Sequence, residues 1–296
     1  MSDPAQALKD FQPANSFFVG IDSDGCVFDS MEIKHKECFA PMFIKHFGLQ
    51  PASKYAREVW EFVNLYSKTR GCNRFHAVTR ALDLMRERPE IVARGVEVPT
   101  FPALSEWMDR ETKLGNATLY AEIEGGNGAL IPIREWSDAV NTQVADIVTG
   151  VPPFPQVRDS LERMQPHADC MVISQTPSAA LEREWAEHDL DGFVELIAGQ
   201  ELGTKTQHLK LATGGKYEPQ HVLMIGDAPG DHQAASANGA LFYPIIPGSE
   251  EVSWKRLHDE ALERFFDGAF SGDYQKDLLD NFEASLPEIP PWDSNW

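Results

Sequence analysis

Asp22 and Asp24, one residue apart, directly follow the apolar run Phe17-Phe18-Val19-Gly20-Ile21. Two carboxylates at the end of a buried strand each disfavour the other's ionisation unless a cation or hydrogen bonds offset the repulsion. Such a pair marks a site, because ligands of open α/β sheets bind at the carboxyl ends of the strands. A second pair, Asp227 and Asp231, closes the run 221–226, with the turn Ala228-Pro229-Gly230 between the two aspartates. Carboxylate oxygens are the ligands Mg²⁺ prefers, usually one or two from protein, with water and phosphate completing the shell. Weaker features lie between the pairs. The run 170–173 ends in Ser174-Gln175-Thr176-Pro177, where a hydroxyl and backbone amides ahead of a helix can hold an anion or simply cap that helix. Gly203-Thr204-Lys205 opens another helical stretch, and Lys205, Lys210 and Lys216 are rival sources of a cation.

The elements that must position these residues read as an alternation. Short apolar runs at 16–21, 169–173, 194–198, 221–226 and 240–246 alternate with amphipathic stretches at 156–165, 177–188, 204–213 and 229–238. The expected fold is α/β, a Rossmann-like, mostly parallel sheet in three layers. The stretch between the first run and the rest is different. Val59, Phe62, Val63 and Tyr66, like Val78, Ala81, Leu82 and Met85, recur at helical spacing. Residues 31–150 are also nearly balanced in charge, so almost all of the net −20 lies outside them. The stiff Val151-Pro152-Pro153-Phe154-Pro155 marks the return of the chain to the core. The expectation is a discontinuous core of 1–30 and 150–296 with an α-helical cap domain, 31–149, inserted after the first strand. Its two connections would lie close together and act as a hinge. Trp254, Leu257, Ala261 and Phe265 suit one helix face and Leu278, Leu279 and Phe282 another, both expected to pack on the core.

Bulk properties narrow the function. An excess of 46 acidic over 26 basic residues, with a pI near 4.8, argues against nucleic acid or an anionic membrane surface as partner. No stretch approaches the ~20 apolar residues of a membrane span. The first fifteen residues hold no apolar signal core, so a cytoplasmic location is expected. Cys26, Cys38, Cys72 and Cys170 show no paired spacing and read as free thiols.

In this order, Ile21-Asp22-Ser23-Asp24-Gly25, Val172-Ile173-Ser174, Lys205, and Gly226-Asp227 through Asp231 resemble the four motifs of the haloacid dehalogenase-like (HAD) superfamily. The insertion point resembles that of members with a helical cap after the first motif, the phosphoglycolate phosphatase and β-phosphoglucomutase-like branch. Asp24 sets the chain apart from the dehalogenase and phosphonate-cleaving branches, which lack an acid there. Gln175 stands where Asn is common, and Cys26 where Thr is.

The resemblance implies a Mg²⁺-dependent phosphatase acting through an aspartyl-phosphate on Asp22. Asp24 would be general acid and base, and Ser174 and Lys205 would orient the phosphoryl oxygens. Asp22, Asp227, Asp231 and the backbone carbonyl of Asp24 would surround the metal. A phosphomutase with the same intermediate is the near alternative, and a non-catalytic phosphoryl-ligand binder the distant one. The expected partner is a small phosphorylated metabolite; the oligomeric state stays open. For substrate contacts the candidates are Gly25, Gln175, His35, Arg70, Asn73 and Arg74, the last three in a basic break between helices that could equally be a solvated connection.

Overall fold

In the computed structural model, which describes residues 3–293, the chain divides into two compact units. One comprises 3–31 with Gly150–Leu286, the other Glu32–Thr149 with 287–293.

The first unit is built on five strands: β1 (Phe17–Ile21), β2 (Ala168–Ile173), β3 (Leu196–Ala198), β4 (Val222–Gly226) and β5 (Leu241–Pro244). All pair in parallel, in the order β3-β2-β1-β4-β5. Parallel neighbours need crossovers, and the helices Val157–Met164, Ser178–Glu187, Lys205–Thr213 and Pro229–Ala237 supply them. The strands are apolar without polar alternation because both faces are covered. Val19, Ile21, Cys170, Val172, Leu223 and Ile225 enter one apolar cluster. Phe18, Met171, Ile173, Val222 and Met224, offset by one residue, enter the cluster on the other face. That period of two sorts one sheet into two cores and yields the expected three layers.

The last helices of this unit pack as their spacing predicts. Trp254, Leu257, Ala261 and Phe265 are fully buried in the first cluster, on a run of helix from Glu250–Arg256 through a wider-turned 257–261 to Leu262–Phe266. On Asp273–Ser285 the expected face divides: Phe282, with half-buried Leu279 beside it, enters the second cluster, whereas Leu278 enters the first. The outgoing and returning connections are tied together: Phe28 bridges to Pro153, and the Phe154 N–H donates to the Val27 carbonyl at 2.9 Å.

The second unit is helical. Ser53–Asn64 and Arg74–Glu87 bury Val59, Phe62, Val63, Val78, Ala81, Leu82 and Met85 in one cluster with Trp60, Trp107 and Trp136. At the C-terminus the division departs from the expected boundary, which kept everything to residue 296 with the core. Residues 287–293 belong to the helical unit because Trp292 packs edge-on against Phe62, centroids 5.5 Å apart, and the Arg88 guanidinium lies 4.3 Å from its ring centre. Among the described residues no helix is long and apolar enough to cross a membrane. The four cysteines are unpaired thiols.

Candidate active site

The strand order reverses at β1: the chain first builds outward through β2 and β3, then returns to lay β4 on the other side. Such a switch point opens a crevice at the carboxyl ends of the two strands. Asp22 follows the last residue of β1 and Asp227 the last of β4, so the two carboxylates flank that crevice. The Asp22 N–H donates to the Ile225 carbonyl at 2.9 Å, extending the ladder into the site.

Asp231 joins them from the first turn of Pro229–Ala237. Its Oδ2 accepts the Ala228 N–H at 3.1 Å, capping the start of that helix and fixing the carboxylate inward. One oxygen from each of Asp22, Asp227 and Asp231 lies within 4.8 Å of the others, and all three residues are buried. At that separation two carboxylates repel by about 3.5 kcal/mol at an effective dielectric of about 20. Lys205 offsets part of this. Its Nζ lies 2.6 Å from Asp22 Oδ2 and 2.6 Å from Asp231 Oδ1, bridging the two motifs. A capping box holds the helix that presents it: the Thr204 hydroxyl accepts the Gln207 N–H, and Gln207 accepts the Thr204 N–H at 2.9 Å. Lys216, one of the rivals, instead donates to the Leu8 and Leu211 carbonyls, and Lys210 is exposed.

The electrostatics carry the mark of excess negative charge. Burial, with the repulsion of Asp231, raises the Asp22 carboxyl to about 7 against the pull of Lys205. Asp231 is raised too, by burial and Asp227, again against Lys205. Burial alone would lower the Lys205 ammonium, but the two carboxylates together hold it well above its ordinary value. Three carboxylates and one ammonium sum to −2, and every donor is a hard oxygen. A divalent cation such as Mg²⁺ fits this donor set in charge and in ligand type.

Asp24 points elsewhere. Thr176 Oγ1 donates to its Oδ2 at 2.5 Å, and Ser30 Oγ donates to its Oδ1. Its side chain stands outside the group formed by Asp22, Asp227 and Asp231. Ser174, buried at the end of β2, accepts the Thr176 N–H at 3.2 Å, so its hydroxyl shapes the turn that delivers Thr176. Gln175 Nε2 donates to the Gly203 carbonyl at 2.9 Å, linking that turn to the approach to Lys205. Gly25 holds φ +75° in the turn after Asp24.

The four remaining candidates sit in the helical unit with partners of their own. His35 Nδ1 accepts the Trp60 indole N–H at 3.2 Å and stacks on Phe39. Arg70 is buried and donates to the Leu65 carbonyl at 2.9 Å. Asn73 caps Arg74–Glu87 by accepting the Phe75 N–H at 3.0 Å. Arg74 donates to Ser137 and Asn141, and burial lowers its guanidinium to about 10. Thr176 and Ser30 were not singled out from sequence; the Thr two residues beyond Ser174 was the available signal.

No protein-family model and no curated protein matches the chain. The chain is similar to solved HAD-superfamily hydrolases. A subfamily IA hydrolase from Geobacter sulfurreducens is 16% identical, with 78% of this chain and 88% of that one covered and a TM-score of 0.39. A haloacid dehalogenase-like hydrolase from Streptococcus pneumoniae is 12% identical over 81% and 90%, TM-score 0.43. A structure described as a predicted phosphoglycolate phosphatase from Haemophilus somnus is 12% identical over 78% and 86%, TM-score 0.45.

Proposed function

We propose that the chain is a Mg²⁺-dependent phosphatase that hydrolyses a small phosphorylated metabolite through an aspartyl-phosphate on Asp22. The observation that carries this reading is the Lys205 bridge between Asp22 and Asp231 beside Asp227, at the switch point of a parallel sheet. A half-buried lysine among three carboxylates presents positive charge to a phosphoryl group while leaving room for a second cation.

In this reading an Asp22 oxygen attacks phosphorus, and the bond from phosphorus to the leaving oxygen breaks. Asp24 protonates that oxygen, then takes a proton from the water that opens the acyl-phosphate, releasing inorganic phosphate and regenerating Asp22. Thr176 and Ser30 hold the Asp24 carboxylate for both transfers. Lys205 steadies the equatorial oxygens, and Ser174 orients the turn beside them. Asp22, Asp227, Asp231 and the Asp24 carbonyl would hold Mg²⁺, which would supply the positive charge a phosphate dianion needs to approach this acidic pocket.

The test is phosphate release from a panel of phosphorylated metabolites, with Mg²⁺ or EDTA, for wild type and Asp22→Asn. Turnover that needs Mg²⁺ and vanishes in the variant is expected. Phosphoryl transfer between sugar positions without phosphate release would replace the phosphatase by a mutase. Turnover that survives EDTA would remove the metal from the reading.

A further inference from the structure

The loop that leaves β1 turns around one carbonyl. Ser23 O accepts the N–H groups of Cys26 at 3.3 Å, Val27 at 2.8 Å and Phe28 at 3.2 Å, and the Gly25 N–H closes the turn on the Phe28 carbonyl at 2.8 Å. Asp24 rides on this turn. Its neighbour Ser23 also donates its backbone N–H to Asp22 Oδ1 at 2.8 Å, so the turn sets the orientation of both acids.

Two fully buried tryptophans hold the turn from outside. Trp185, on Ser178–Glu187, donates its indole N–H to Ser23 Oγ at 3.0 Å. Trp254, on Glu250–Arg256, donates its own to the Cys26 carbonyl at 2.7 Å. The two donors come from helices far apart in sequence and grip the loop on either side of Asp24-Gly25. Both rings fill the core, but Phe would fill much of the same space without bringing an N–H to the buried acceptor. A buried carbonyl that loses its donor is costly, and the turn would shift to regain one.

We propose that Trp185 and Trp254 are positioning residues that clasp the Ser23–Cys26 turn and thereby fix Asp22 and Asp24 for phosphoryl transfer. The proposal rests on the phosphatase reading for its catalytic consequence, while the clasp itself is a property of the loop. It also gives the C-terminal helices a task at the site, through Trp254.

The experiment compares Trp254→Phe and Trp185→Phe with wild type and with Tyr217→Phe. Tyr217 donates a 2.5 Å hydrogen bond to buried Asp169, near the opposite end of β2, so its variant loses a donor to a buried carboxylate remote from the turn. Ser23→Ala, which removes the acceptor with little change in volume, stands in if Trp185→Phe does not fold. Amide hydrogen exchange over 22–28 is expected to accelerate about tenfold or more in the tryptophan variants and in Ser23→Ala, and to stay unchanged in Tyr217→Phe. With a substrate found in the metabolite panel, kcat is expected to fall about tenfold or more with KM within about twofold, as misplacement of reacting groups demands. Unchanged exchange over 22–28 overturns the clasp. Faster exchange with an unchanged kcat, or an equal kcat loss in Tyr217→Phe, overturns its positioning role. A wild type that turns over no compound fails the phosphatase reading instead, and the exchange comparison still decides the clasp.

Discussion

Gly226 and Asp231 approach so closely that a Cβ built on the glycine would lie 2.5 Å from Asp231 Oδ2. The missing side chain is the space the carboxylate occupies on its way to Lys205. Glycine before Asp227 is therefore a packing requirement of the second carboxylate pair. Gly226→Ala is expected to cost about 1–3 kcal/mol through overpacking, or to push Asp231 off Lys205. Thermal unfolding with and without Mg²⁺ reads both: a lower Tm, and a smaller Mg²⁺-induced rise than in wild type. A variant with wild-type Tm and an undiminished Mg²⁺ response would show that the glycine is dispensable.

Lys205 is the sole lysine seen bridging two of the site's carboxylates among the described residues. Lys205→Met keeps the length of the chain and removes the charge, leaving Asp22 and Asp231 uncompensated. Breaking one side of a buried ion pair costs about 3–5 kcal/mol, so the metal-free variant is expected to be markedly less stable at pH 7. Mg²⁺ should recover part of that loss by mass action, more than it stabilises wild type. Phosphate release is expected to fall about 10²–10³-fold. Urea denaturation in EDTA and in Mg²⁺ checks the stability, and equal midpoints for variant and wild type in EDTA would contradict it.

The strands, their order of appearance and the placement of Asp22 and Asp227 at strand ends were legible because they are local. An apolar run followed by a carboxylate needs no partner to be recognised. The Lys205 helix was legible as the stretch that Gly203-Thr204-Lys205 opens, though the capping box closed by Gln207 appears only in the structure. What joins residues distant in the chain was not legible. Thr176 reaches Asp24, Trp254 reaches Cys26, and Trp292 finds Phe62 and Arg88 in the helical unit, and no spacing announces any of these contacts. The basic break at 68–74 shows the converse: Arg70 and Asn73 look like free polar groups in sequence, yet one satisfies the Leu65 carbonyl and the other caps a helix.

Thr176 Oγ1, at 2.5 Å from Asp24 Oδ2, fixes the carboxylate proposed to carry protons. Thr176→Val preserves shape and removes the donor. Loss of orientation is expected to lower kcat about tenfold with little change in KM. Thr176→Ser, which restores a hydroxyl, should recover most of it. Steady-state phosphate release for the two variants is the check; equal loss in both would assign the effect to packing of the methyl group.

His208, fully buried one turn after Lys205 on the same helix, gives the fold a stability term with a definite pH window. Burial first, and the Lys205 charge second, lower its imidazole to about 4, with the nearby Gly203 backbone opposing weakly. Above pH ~6.5 the ring is neutral in both folded and unfolded chains and adds no pH-dependent term. Below it the unfolded chain takes up a proton that the folded one refuses until about pH 4, so stability is lost progressively as pH falls between these values. A shift of that size is on the order of 3 kcal/mol once complete. Asp22 works in the opposite sense, because a carboxyl raised to about 7 favours the folded state as the pH drops below that value. The wild-type profile therefore mixes the two signs, and a comparison is needed to separate them. His208→Met removes only the histidine contribution. Urea midpoints at pH 7 and pH 4.5, both in EDTA, should fall less, or rise more, on acidification in the variant than in wild type. Parallel profiles would mean that the buried imidazole accepts its proton in the folded chain as readily as in the unfolded one.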